Sequence, residues 1–148
     1  MSELPETTAR ALRTAIGAEN AAIWVCGLAR AFAGESRVRE AIDEATAAHE
    51  ETRDSAAEAM RAAGAKPPVA EPAYDVGEPV SDQRGAIGLL IRAETDCQVG
   101  WRAVLEAAAD AGLRRTALEA LTTAATRATR WRLTTGEEPA AENFPGAP

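Results

Sequence analysis

Pro67, Pro68, Pro72 and Pro79 crowd the stretch Ala65–Val80, and no helix can run through it, because each proline removes a backbone donor and clashes with the preceding turn. On both sides of this break the chain is helix material. Alanine, the best helix former, supplies about a quarter of the sequence, and only 4% of the residues are aromatic. So little sheet-forming material excludes an all-β fold.

Apolar and small residues recur at helical spacing in four segments. In the first, about 6–33, they are Leu12, Ile16, Ile23 and Cys26, with Glu19 interrupting the stripe. In the second, about 37–63, Val38, Ile42, Ala45, Thr52, Ala56 and Ala59 carry the stripe and His49 interrupts it. In the third, about 81–110, Ile87, Ile91, Gln98, Trp101, Leu105 and Ala108 share a face with Glu94. The fourth, about 113–135, is read as turning Leu118, Leu121, Ala125 and Ala128 inward, with Trp131 near its foot. Gly34, Gly64, the pair Ala111-Gly112, and Gly136 are the expected helix stops, and Ser36 and Ser81 the expected caps. Arg130 and Arg132 fit the favourable charge of a helix C-terminus, and Phe144 is the residue of the tail 136–148 expected to dock.

The connector 65–80 decides the topology. A helix of this length spans about 40 Å, whereas an extended Pro-rich strap of that size spans about 50 Å. The segment can therefore traverse the whole bundle. Short turns within each helix pair and one lengthwise crossover between helices two and three describe an all-α, ferritin-like four-helix bundle in a single domain, 1–148. An up-down bundle with a loop folded over one end is the alternative.

Glu19, His49 and Glu94 fall near the middle of three different helices, at similar heights. A charge in an apolar core is costly unless paired or bound, so these side chains need partners. Arg53 and Gln98, four residues beyond His49 and Glu94, complete the expected central polar cluster of Glu19, His49, Arg53, Glu94 and Gln98. Thr52 and Thr123 are further hydroxyl candidates. The leading reading is a self-satisfied network that fixes helix register, with no cofactor. A second is a single divalent ion, Fe, Mn or Zn, on Glu19, His49 and Glu94. A third is a small-ligand pocket in which Arg53 clamps an anion between Trp24 and Trp101. Counting ligands disfavours a dinuclear centre within one subunit. Glu50-Glu51-Thr52-Arg53 and Glu119-Ala120-Leu121-Thr122 each lack the histidine of a Glu-x-x-His frame, and the chain has one His in all. As a general base, His49 has no partner nucleophile in the sequence, so an enzyme is the less favoured class.

A net charge of −7 opposes binding to nucleic acid or anionic membranes. Cys26 and Cys97 read as buried small hydrophobes. The first residues lack a basic start and apolar run, and no apolar stretch reaches membrane-spanning length, which predicts a cytoplasmic protein.

The order and spacing of several short elements resemble a family of alanine-rich, ferritin-like actinobacterial proteins classed as a domain of unknown function. They are Ala18-Glu19-Asn20-Ala21-Ala22 with Trp24, His49 with Arg53-Asp54, Gly64-Ala65 leading to Pro72-Ala73-Tyr74, Glu94 with Trp101, Ala125 through Trp131-Arg132, and Phe144-Pro145-Gly146. The likeness spans nearly the whole chain. Members of that family often carry His where this chain has Asn20, which removes a second imidazole from the neighbourhood of Glu19. The resemblance implies a ferritin-like fold and self-association, with a homodimer as the expected assembly, and it implies no activity.

Overall fold

The computed structural model describes residues 3–148 and contains four helices, α1 (Glu6–Phe32), α2 (Ser36–Ala62), α3 (Gln83–Ala107) and α4 (Ala111–Thr135), with no strand among the described residues. Long-range bonds give their directions. Arg30 near the end of α1 pairs with Asp43 early in α2, Thr8 at the start of α1 reaches the Ala107 carbonyl at the end of α3, and Arg84 at the start of α3 reaches the Thr135 carbonyl at the end of α4. Each of these pairs is antiparallel. Since α2 and α3 both oppose α1, they run parallel to one another, and the segment between them must return along the full length of the bundle.

The strap follows α1 as it does so. Lys66 accepts from Arg13, the Tyr74 ring lies 6.1 Å from that of Trp24, and Val76 accepts from Arg92 of α3. Helix α1 packs on α2 and α3, and α3 packs on α1 and α4, while Ala45 and Ala48 of α2 and Thr122, Thr126 and Arg127 of α4 line a groove between those two helices. Helices α1 and α3 approach closely at Gly100 and Ala15. A Cβ added at Gly100 would stand 2.9 Å from the Ala15 Cα, so only glycine admits this spacing.

The helix ends differ from expectation at several points. Gly34 is not left-handed; Ala33 ends α1 in an extended conformation. Side chains replace the glycine turn. Gln83 Oε1 accepts from the Gly34 and Glu35 amides at 2.9 and 3.0 Å, and Arg39 donates to the Ala33 and Gly34 carbonyls. Glu35, not Ser36, occupies the cap position of α2, and Asp82, not Ser81, caps α3 by accepting from the Gly85 amide. Helix α3 ends three residues earlier than expected and α4 starts two residues earlier, because Asp110 accepts from the Leu113 amide and starts α4 before Gly112.

Helix α4 is also rotated from its expected register. Ala117, Ala124, Ala128 and Trp131 are buried, whereas Leu118 is 52% exposed. Three alanines on the inner face let α4 sit close to α3, and the bulkier leucine is left outside. In the tail, Phe144 does not dock and is 74% exposed. Gly146 is buried instead, lying against the Gln98 carbonyl of α3, and Arg132 holds Glu142 at 2.8 Å. Arg132 is thus a tail anchor as well as a helix-end charge.

Candidate functional site

Glu19, His49 and Glu94 meet in the interior, each about 1% exposed. The imidazole of His49 lies between the two carboxylates. Its Nδ1 is 2.5 Å from Glu19 Oε2 and its Nε2 is 2.9 Å from Glu94 Oε1. A neutral imidazole has one N–H, so two carboxylate partners call for the doubly protonated ring. Burial opposes that charge, but the hydrogen bonds to Glu19 and Glu94, reinforced by their negative charges, outweigh it and raise the His49 pKa to about 9.

Two groups outside the expected set join the network, which leaves Glu94 Oε2 as its one carboxylate oxygen without a partner among the described residues. Trp101 Nε1 donates to Glu19 Oε1 at 2.7 Å, so the indole is a hydrogen-bond partner here and not only a wall. Arg127 Nε donates to Glu94 Oε1 at 2.8 Å from α4. With His49 protonated, two carboxylates face two cations and all four helices contribute. Arg127 follows from the true register of α4, since it lies three residues beyond Ala124 and four before Trp131 on the buried side. A face drawn through Leu118 and Ala125 hides that position.

The other expected members stand apart. Arg53 does not join the cluster; it is part-exposed and pairs with the neighbouring Asp54 at 2.8 Å. The physical reason is that His49 and Arg127 already balance the two buried carboxylates, and an arginine near the surface keeps its hydration by turning outward. Gln98 is buried, but no hydrogen bond links it to the cluster and its Nε2 has no partner. Thr123 is exposed and bonds to the Glu119 carbonyl of its own helix. Trp24 and Trp101 do not wall a common cavity with Arg53, because Trp24 packs on the strap through Tyr74.

Because Glu19 and Glu94 occupy opposite edges of the ring, they do not converge on one His49 nitrogen. The convergent donor set is Glu19, His49 and Cys97, whose ligand atoms lie within 4.8 Å of one another. Burial, followed by the charges of Glu19 and Glu94, raises the Cys97 thiol well above its ordinary pKa, and burial raises Cys26 to about 11. Both are free, buried thiols. A dinuclear metal centre of the ferritin type does not fit this donor set, since the single imidazole has both nitrogens engaged. Among the described residues, no helix is long and apolar enough to cross a membrane.

A cavity of about 510 Å³ opens at the end of the bundle where α1 begins and α3 ends, within the usual size range of ligand pockets. Leu4, Leu12, Ala56, Trp101 and Leu113 line it. It reaches the Trp101 ring and includes none of the four charged groups of the network.

The family model described as "Domain of unknown function (DUF4439)" matches residues 11–148. Among solved structures, the chain is similar to a conserved hypothetical protein, rv2844, from Mycobacterium tuberculosis. The two share 32% sequence identity with a TM-score of 0.85, over 89% of this chain and 99% of that one. No curated protein matches the chain.

Proposed function

The chain belongs to the DUF4439 family, and from that membership we propose that it is a non-catalytic, ferritin-like bundle protein that acts through self-association or a protein partner. In this reading the buried Glu19–His49–Glu94–Arg127 network sets the register of the four helices and carries out no chemistry. The observation that carries it is the engagement of both His49 nitrogens by carboxylates, which leaves the ring no lone pair for a metal or for a substrate proton. The acidic net charge supports a protein partner over nucleic acid or an anionic membrane surface.

Metal analysis of protein purified without chelator tests this, together with melting temperatures in added Fe(II), Mn(II) and Zn(II). The reading expects substoichiometric metal and unchanged melting. Near-stoichiometric metal that disappears in His49→Ala would replace it.

That outcome is what the second reading, a metal- or ligand-dependent enzyme at the same centre, predicts. The approach of Glu19, His49 and Cys97 favours this alternative. It requires His49 to give up its bond to Glu19 and Cys97 to lose its proton, and proton release on metal addition would report the change.

A further inference from the structure

The outer side of α4 carries a stripe of apolar and small residues bordered by the tail. Leu118 and Leu133 are 52% and 63% exposed, Thr122 and Thr126 are exposed between them, and Ala125 and Thr129 are half-buried beside the tail residues Ala141, Glu142 and Pro145. Two of these threonines have already satisfied their donors within the helix, Thr126 on the Thr122 carbonyl and Thr129 on the Ala125 carbonyl, each at 2.9 Å. Covering them therefore sacrifices little hydrogen bonding to water.

The stripe is also its own complement. When a second α4 is laid antiparallel on the first with a two-fold axis between Ala125 and Thr126, Leu118 meets Leu133 of the second copy and Thr122 meets Thr129, each twice by symmetry. Small central residues admit close approach, and the leucines close both ends. The charges on the flank follow the same rule. In an antiparallel two-fold pair, residues on one flank of the stripe meet residues on that same flank of the other copy. Glu119 and Arg130 lie on one flank, neither has an ion-pair partner among the described residues, and the same axis sets each near the other's copy. Arg127 and Arg132 add no repulsion, because Glu94 and Glu142 already neutralise them.

We propose that the outer face of α4, from Leu118 to Leu133, docks on a second copy of this chain to form an isologous two-fold dimer. The proposal rests on the self-association reading above and assigns its surface.

Light scattering on the full chain at about 50 µM, well above a micromolar Kd, is the first measurement. The expected mass is twice the 15.5 kDa of one chain. Leu118→Arg, at an exposed position, should give the monomer mass with an unchanged helix content by circular dichroism. Glu119→Arg should weaken the dimer at least tenfold, and the double variant Glu119→Arg, Arg130→Glu should restore it at low salt. A short bis-maleimide should join Thr126→Cys to its copy, since Cys26 and Cys97 are buried. A dimer indifferent to Leu118→Arg, with no Thr126→Cys product, overturns the α4 surface and leaves self-association standing. A monomer at every concentration overturns both.

Discussion

The indole of Trp101 and the carboxylate of Glu19 bind edge to edge across α1 and α3, at 2.7 Å, in a region with essentially no solvent access. The other oxygen of Glu19 is the one His49 holds, so Trp101 fixes the carboxylate in the orientation the imidazole requires. Trp101→Phe keeps most of the buried ring and removes the donor. The expected loss is about 2–4 kcal/mol, from an unsatisfied buried charge plus a small cavity. Urea unfolding should show a lower midpoint at an unchanged slope, and a variant as stable as wild type would remove Trp101 from the network.

Arg127 and Glu94 make the second test, because their bond is the one charge link between α3 and α4 in the core among the described residues. Arg127→Met alone leaves Glu94 short of a cation and should cost about 3–5 kcal/mol. In a Glu94→Gln background the same change should cost less by about 1–3 kcal/mol, the signature of direct coupling. Additive losses in this double-mutant cycle would mean that His49 alone balances the pair of carboxylates.

The three ionisable residues at the centre were legible in the sequence because each interrupted an otherwise apolar stripe, and a buried charge announces itself that way. The strap was legible because prolines forbid helix and the remaining length had to go somewhere. Arg127 was hidden by a register ambiguity in an alanine-rich helix. Leu118, Leu121, Ala125 and Ala128 describe one face and Ala117, Ala124 and Ala128 another, with Ala128 common to both, and hydrophobicity alone does not choose between them. What chooses is close packing on α3, a tertiary effect. The same limit applies at Gly34, where Gln83 from a distant helix closes the turn and relieves the glycine of any special conformation. Arg53 shows the converse. Spacing of four from His49 places it near the right face, but a long cation escapes to solvent once the buried charge is already balanced.

His49 makes stability depend on pH with a definite sign. Its pKa is about 9 in the folded chain and about 6.5 when unfolded, so the native state binds more protons across that interval. Its contribution is therefore complete below about pH 6.5, declines as pH rises, and is gone above about pH 9; its full size is about 3 kcal/mol. Cys26 and Cys97, also raised, add their own decline only above the ordinary thiol value of 9.0. Unfolding free energies measured at half-unit steps should fall from pH 6.5 to 9 in the wild-type chain and stay level in His49→Leu. Equal slopes in the two proteins would show that His49 titrates alike in both states.

Gly146 tests whether the tail is an integral part of the bundle or a separable cover. Its φ of 76° lies in the left-handed region, and a Cβ at that position would stand 2.5 Å from the Gln98 carbonyl oxygen and 2.9 Å from the Arg102 Cβ. Both obstacles belong to α3, one of them to its backbone, so neither can yield without distorting the helix that presents Glu94 and Trp101. Releasing the tail is the cheaper response, because its polar anchors on the bundle are the bonds from Arg132 to Glu142 at 2.8 Å and to the Ala140 carbonyl at 3.4 Å, and neither lies in the backbone of α3. Gly146→Ala should therefore detach the segment after Gly136 while the four helices stay packed. Limited proteolysis should cut the tail much faster than in wild type, and the midpoint of bundle unfolding should move by no more than about 1 kcal/mol equivalent. If unfolding shifts by several times that amount and the tail remains protected, the strain has gone into α3, and the docked glycine is part of what holds the network's geometry.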